Sequence, residues 1–286
     1  MGIDMGDVFT YKGTRKTTRI YSDGVFVKIL QMITGMELRI SKDTHAKLIK
    51  MQNEHSRELS MEQYFDQLND CEMTLLEFEH FLSKVLLIET NNIYNVFSEE
   101  QLNELIKNSS VIFEVLNGLS GGMIEGFKLI IMNMVSLYKI SKILKTAPEP
   151  ERLLIFGPQL SLVTNFSKMI MTCRQENKTY GDLQPNDFLN LKTKFFAFEE
   201  MTEQKHRLIF LDRKHDLSDG IANKAFGPQY IQCPGAKMTI DYINSILPFL
   251  QKFNIEIIGE PIYKGIRFKN ISNRPDIKIK FMLKDA

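Results

Sequence analysis

Between Val111 and Leu137 the chain is more apolar than anywhere else, yet Glu114, Asn117, Glu125, Lys128 and Asn133 are threaded through it. Hydrocarbon offers these polar groups no partners, so the stretch is excluded as a bilayer span and reads as a long buried helix of a soluble fold. It sits inside the longest helical pattern of the chain, Ser109 to Ile143. Weak points are expected at Gly118, Gly121 and Gly122, because glycine costs about 1 kcal/mol relative to alanine in a helix interior. Met132 and Met134 are expected in the core, where a flexible thioether fills gaps.

The flanking sequence supplies further helices. Lys42-Asp43-Thr44-His45 offers cap-type residues ahead of a helical run, a second cap precedes Met61 to Cys71, Leu75 to Leu87 has apolar residues at helical spacing, and Ser98-Glu99-Glu100-Gln101 opens another helix. Helical periodicity returns from Pro234 to Phe253. Strands and turns are expected over about Asp7 to Arg39, over Gln159 to Met171 and Thr179 to Leu191, and from Ile255 onward. Nothing divides the chain by repeat, linker or composition, so the expectation is one domain, 1–286, mainly α with small β-sheets.

Charge and cysteine usage narrow the partners. Lys and Arg number 36 against 35 Asp and Glu, a net charge of +1. Bulk electrostatics therefore gives no reason to expect nucleic acid or membrane as a partner. Cys71, Cys173 and Cys233 form no CxxC pair, which excludes a disulfide framework or a zinc ribbon and fits a reducing, cytoplasmic setting. The first residues lack the apolar core of a secretory signal, and the residues after Gly2 match a myristoylation signal poorly. His55, His80, His206 and His215 have no partner at metal-ligand spacing and are expected on the surface or in the core.

One segment stands out chemically, residues 225 to 253. Cys233 precedes Pro234-Gly235 and an amphipathic helix. Backbone N–H groups and the positive helix end stabilise a thiolate there, and a thiolate is a haem iron ligand that pushes electron density onto the metal. Read from these residues alone, Cys233 is either such a ligand or a small buried hydrophobe in a turn.

The segment resembles the haem-binding loop of the cytochrome P-450 superfamily, with Phe226, Gly227, Cys233 and Gly235 at matching spacing. Gln229 stands where a Gly is usual, and Ile231 where a basic residue contacts a haem propionate. The order of further segments is similar to the family: Glu151-Arg152-Leu153-Leu154 with Pro158 looks like the Glu-x-x-Arg helix, Leu154 replacing its Arg. Residues 181 to 191 resemble its strand-turn-strand, and Phe210-Leu211-Asp212-Arg213 the meander before the loop. Asp43 to Leu48 is similar to the helix whose histidine, here His45, contacts a propionate. The resemblance implies a P-450-like fold with a reduced distal cap, haem b as cofactor, and Cys233 as metal ligand. Glu151, lacking the family's Arg at position 154, must be exposed, neutralised or paired with a cation such as Arg213.

Residues 117 to 127 fall where the family's oxygen-binding helix carries a glycine pair, an acid and an alcohol. Gly121 and Gly122 fit, but Ile124 and Glu125 occupy the acid and alcohol positions. Without that proton-delivering pair the expectation shifts from reductase-fed monooxygenation to use of a peroxide, whose oxygen arrives already reduced. The glycine pair after Asn117, and Thr44 to Leu48, are similar to the allene oxide synthase and hydroperoxide lyase branch, with the spacing from Asn117 to the pair one residue longer than there. The resemblance thus implies a haem-thiolate oxidoreductase acting on a small organic substrate, with Glu125 and Asn117 as catalytic candidates. Two alternatives stand beside it. One is a haem-binding protein without turnover; the other is a dioxygen-dependent monooxygenase served by a redox donor protein, for which Lys224 and Lys237 beside the loop would supply positive charge. For Asn117 and Glu125 a helix polar contact and a solvated charge remain the plain readings.

Overall fold

A computed structural model describes residues 16–17, 42–55, 58–121, 123–158, 162–163, 166–167, 169–170, 195–202, 205–211, 235–259, 263–264, 267–268 and 275–284. Among these, helices dominate and three small antiparallel sheets accompany them. In chain order the elements are β1 (Lys16–Thr17), α1 (Lys42–His55), a 3₁₀ turn (Glu62–Tyr64) leading into α2 (Phe65–Leu68), β2 (Glu72–Thr74), α3 (Leu75–Tyr94) and α4 (Glu99–Gly121). There follow α5 (Met123–Met132), α6 (Met134–Leu144), α7 (Glu149–Pro158), β3 (Phe195–Thr202), β4 (Lys205–Leu211), α8 (Ala236–Leu250), β5 (Phe253–Ile258), β6 (Tyr263–Lys264), β7 (Arg267–Phe268) and β8 (Lys278–Leu283).

Local chemistry sets the helix ends. The Thr74 hydroxyl accepts from the Glu77 N–H at 3.2 Å while the Glu77 carboxylate accepts from the Thr74 N–H at 2.7 Å. This reciprocal cap is worth about 1 kcal/mol to α3, and the Thr74 backbone bond, followed by its hydroxyl, holds the Glu77 carboxyl below the usual range. At the other end Asn95 takes the left-handed conformation, φ 49°. The buried Asn91 side chain then accepts from the N–H groups of Val96 and Phe97 and donates to the Phe97 carbonyl, turning the chain into α4. Ser98 and Gln101 cap α4 by the same reciprocal pattern.

Helix α4 packs along α3, α5 and α6 fold back on α4, and α7 lies against α1 and α3. The main core gathers Leu48 of α1, Phe78, Leu82 and Leu86 of α3, Leu154 of α7, and Tyr242, Ile246 and Leu250 of α8. On α8 the buried positions recur every three or four residues, the stripe an amphipathic helix turns to a core. Against α3 lies the sheet β2-β8-β5, with β8 in the middle. Its Ile279 and Phe281 alternate inward, and Phe281 meets Phe253 edge-on at 6.0 Å and Phe78 at 5.4 Å. A second sheet has the order β1-β4-β3, and β6 pairs β7 alone.

Three expectations need correction. The apolar stretch Val111–Leu137 is not one buried helix. It is divided between α4, α5 and α6, with the chain also breaking at Asn133, whose side chain donates to the Leu129 carbonyl. Met132 and Met134 are not in the core: they are 69% and 64% exposed. Residues 162–163, 166–167 and 169–170 are helical turns and not strand. Leu162, Val163, Phe166, Met169 and Ile170 are all buried, and their spacing of one, three and four is that of a helix. Of the strands expected over Asp7 to Arg39 only β1 lies within the described residues, and the segment 179–191 lies outside them. The strands expected from Ile255 are present as β5 to β8.

Candidate functional site

The first turn of α8 follows Cys233 by three positions in the sequence. Gly235 is the N-cap and contributes no side-chain cap. The N–H of Met238, third residue of the helix, instead bonds the buried Gln52 Oε1 of α1 at 3.4 Å. Gln52 is seven positions, two helical turns, beyond His45, so the two residues share one face of α1 together with the buried Leu48. The His45 face is therefore the face α1 turns to the start of α8. His45 itself is half-buried.

Other bonds clamp the same junction. Thr90 of α3 and Tyr242 of α8 share a buried hydroxyl–hydroxyl bond of 2.7 Å. The Leu59 N–H, in the connection after α1, donates to Ser245 Oγ of α8 at 3.0 Å. Burial pushes the Tyr242 hydroxyl well above the ordinary tyrosine range, and burial with the Asp241 charge pushes Tyr94 up to about 12. Between α1, α3 and α8 a cleft of about 10 Å³, the size of one water, is lined by Gln52, His55, Ile93, Tyr94, Met238, Asp241 and Tyr242.

The connection from α1 to α2 is held from its other side by Glu89, a buried carboxylate on α3. It accepts from the Ser60 N–H at 3.0 Å, from Gln63 Nε2 at 2.6 Å and from the Tyr64 hydroxyl at 2.8 Å. Desolvation, then this bond, raises the Tyr64 pKa far above its ordinary value. With three donors the buried charge is satisfied, which is the condition for tolerating it.

The remaining sequence-derived residues are placed as follows. Asn117 and Gly121 lie one turn apart near the end of α4, and Glu125 is the third residue of α5, so one helix junction carries all three. Gly122, Phe226, Gly227 and Cys233 lie outside the described residues, as do Lys224, Arg213, Gln229 and Ile231. The two groups lie towards opposite ends of α3: the first turn of α8 shares a cleft with Ile93 and Tyr94 at its C-terminal end, whereas α4 runs back along α3, with Phe97 at Asn91 and Ile106 at His80, and carries the α4–α5 junction towards the other end. Lys237 is engaged by Asp241 at 3.0 Å across one turn of α8. His55 Nδ1 lies 3.1 Å from the Met51 carbonyl, and His80 Nε2 lies 2.9 Å from the Ile106 carbonyl. Among the described residues no three His, Cys, Asp or Glu side chains converge as a metal site. Leu154 is 1% exposed in the main core, and Glu151 Oε2 is buried without a hydrogen-bond partner among the described residues.

Sequence reasoning did not single out Gln52, Glu89, Thr90 or Tyr242. Gln52 carried a usable signal, its two-turn spacing from His45; the other three are recognisable only once the helices are packed. No family model matches the chain, and neither a curated protein nor a solved structure does. No described helix is long and apolar enough to cross a membrane.

Proposed function

We propose that the chain is a haem-thiolate protein of cytochrome P-450 type, with Cys233 as the iron ligand, that uses a peroxide to oxidise a small organic substrate. The observation that carries this reading is the junction at the start of α8. A helix begins at Ala236, three positions after Cys233, with glycine at its N-cap and with the His45 face of α1 bonded to its first turn. The positive end of the helix dipole favours an anionic sulfur. The residue types suit the cofactor: a cysteine three positions before the helix start in the sequence, and a half-buried histidine on the α1 face bonded to that start. Haem b would supply the redox centre. Cys233 would hold the iron, His45 would meet a propionate, and Glu125 at the α4–α5 junction would hold or release a proton.

The deciding measurement is the absorbance spectrum of haem-reconstituted protein, reduced under carbon monoxide. The wild type should show the strongly red-shifted Soret band of thiolate ligation, and Cys233→Ala should lose it. An identical spectrum in that variant refutes the assignment.

A second reading, haem binding without turnover, is favoured by Leu154 and Glu151. The Leu side chain is integrated into the core where the resemblance implies an arginine, and Glu151 has a buried oxygen without a partner among the described residues. Absence of peroxide-driven turnover in a protein with a thiolate spectrum would select this reading. Turnover only with dioxygen and a redox donor protein would select the monooxygenase.

A further inference from the structure

The α5–α6 pair is apolar on two opposite faces. At about 100° per residue, Leu129 and Ile130 point from α5 to one side, where they pack with Val111 and Leu137. Phe127, Ile131 and Met132 point to the other. On α6 the buried Leu137, Ile140 and Leu144 mark the inner face, and Met134, Val135 and Tyr138 the outer. The outer residues are not marginally exposed: from Ile131 to Tyr138 the five large apolar side chains named here are 64–71% exposed, and Phe127 is 40% exposed. A helix apolar all round is ordinarily covered on every side, and a contiguous exposed apolar patch marks an interaction surface.

Charge identifies what fits it. Between Glu125 and Glu149 the sequence contains Lys128, Lys139, Lys142 and Lys145 and no acidic residue; Lys139 is paired with Glu104 at 2.9 Å, which leaves Lys128, Lys142 and Lys145 as the local positive charge in a chain whose net charge is only +1. All four lysines are exposed. By the same rotation Lys128 falls between Phe127 and Met132, and Lys142 between Val135 and Tyr138, on the outer face. A second copy of this face would bring like charges together, whereas anionic lipid headgroups complement the lysines while the apolar side chains enter the acyl boundary. We propose that the outer face of α5 and α6 lies on an anionic membrane surface. The bulk balance of charge, which suggested no membrane partner, conceals this local asymmetry. The docking is interfacial, consistent with the absence of any described helix able to span.

The test is flotation of the full chain with vesicles of phosphatidylcholine alone or containing about 30% phosphatidylserine. Binding should be at least about tenfold tighter to the anionic vesicles and should weaken with salt. Lys128→Gln with Lys142→Gln should weaken it by about 25-fold, from roughly fivefold per lysine, and Ile131→Ser with Val135→Ser by at least about tenfold. Circular dichroism would check that these exposed substitutions leave the helices intact, and the lysine pair decides the matter if the apolar pair disturbs folding. Equal binding to both vesicle types, no binding to either, or a concentration-dependent dimer dissociated by the apolar substitutions would overturn the proposal; the last result would assign the face to a second copy.

Discussion

Replacing Tyr64 by Phe removes one oxygen and nothing else, and the structure fixes what that oxygen does. It donates at 2.8 Å to Glu89 Oε1, a buried carboxylate, while the ring packs edge-on against Phe81 at 6.4 Å and stays in place. A hydrogen bond to a charged partner contributes about 1.5–3 kcal/mol. Glu89 keeps the Ser60 and Gln63 donors, so the loss should fall in the middle of that range, about 2 kcal/mol. With a urea m-value of about 3 kcal/mol/M for a chain of this size, the midpoint should drop by roughly 0.7 M. Glu89→Gln should cost at least as much, because its amide group faces donors. The two substitutions together should cost about 1–2 kcal/mol less than their sum. pH supplies an independent arm. The folded-state pKa of Tyr64 is raised above its unfolded value near 10. Its contribution is therefore fully present below pH 10 and is lost as pH rises above 10 towards the folded value, at about 1.4 kcal/mol per pH unit. Tyr64→Phe should flatten the alkaline decline by that slope. An unchanged midpoint, additive costs and an unaltered pH profile would mean that the carboxylate is solvated and that the connection after α1 is not clamped to α3.

Further expectations follow from other positions. Gly259 has φ 92°, and an added Cβ would stand 2.3 Å from the Asp276 carbonyl oxygen; Gly259→Ala should cost about 2–3 kcal/mol, read as a fall of roughly 5–10 °C in Tm. Leu154→Ala should cost about 2–5 kcal/mol by leaving a cavity in the main core, measured by urea unfolding; a cost under about 1 kcal/mol would show the core collapsing around the site. Glu125→Gln should retain the thiolate spectrum while slowing peroxide consumption by at least about tenfold and flattening its pH dependence; a wild-type rate and profile would remove Glu125 from the reaction.

What the sequence disclosed depended on whether local or distant partners made the decision. The helix after Pro234-Gly235 was legible because its apolar stripe and start signal are local, and it runs from Ala236 to Leu250. Helix α3 was read as ending near Leu87 yet continues to Tyr94. Thr90 and Asn91 look like terminators, but Tyr242 and the Phe97 carbonyl give their side chains partners within the packed protein. Residues 162–170 read as strand because they are β-branched and aromatic, and the helical spacing of their buried positions was the better guide. Apolarity alone points the stretch through Met132 and Met134 to the core, because hydrophobicity reports what water rejects, not what covers it. For the site, the helix start was visible in the sequence, whereas the facing of α1 towards it rests on one glutamine that no motif marks.

The sheet β2-β8-β5 has a consequence in time. Its middle strand is the last of the three in the chain, and Lys278 closes onto Glu72 across 206 positions. At a synthesis rate of about 5–20 residues per second, β2 and the core-facing side of α3 wait roughly 10–40 s for the strand that lies between β2 and β5. During that interval Phe78 lacks Phe281, its partner at 5.4 Å, and an unpaired edge is open to wrong partners. Production of this protein should therefore be limited by how well the nascent chain is shielded, and slowing translation after residue 94 should lengthen the hazard rather than relieve it.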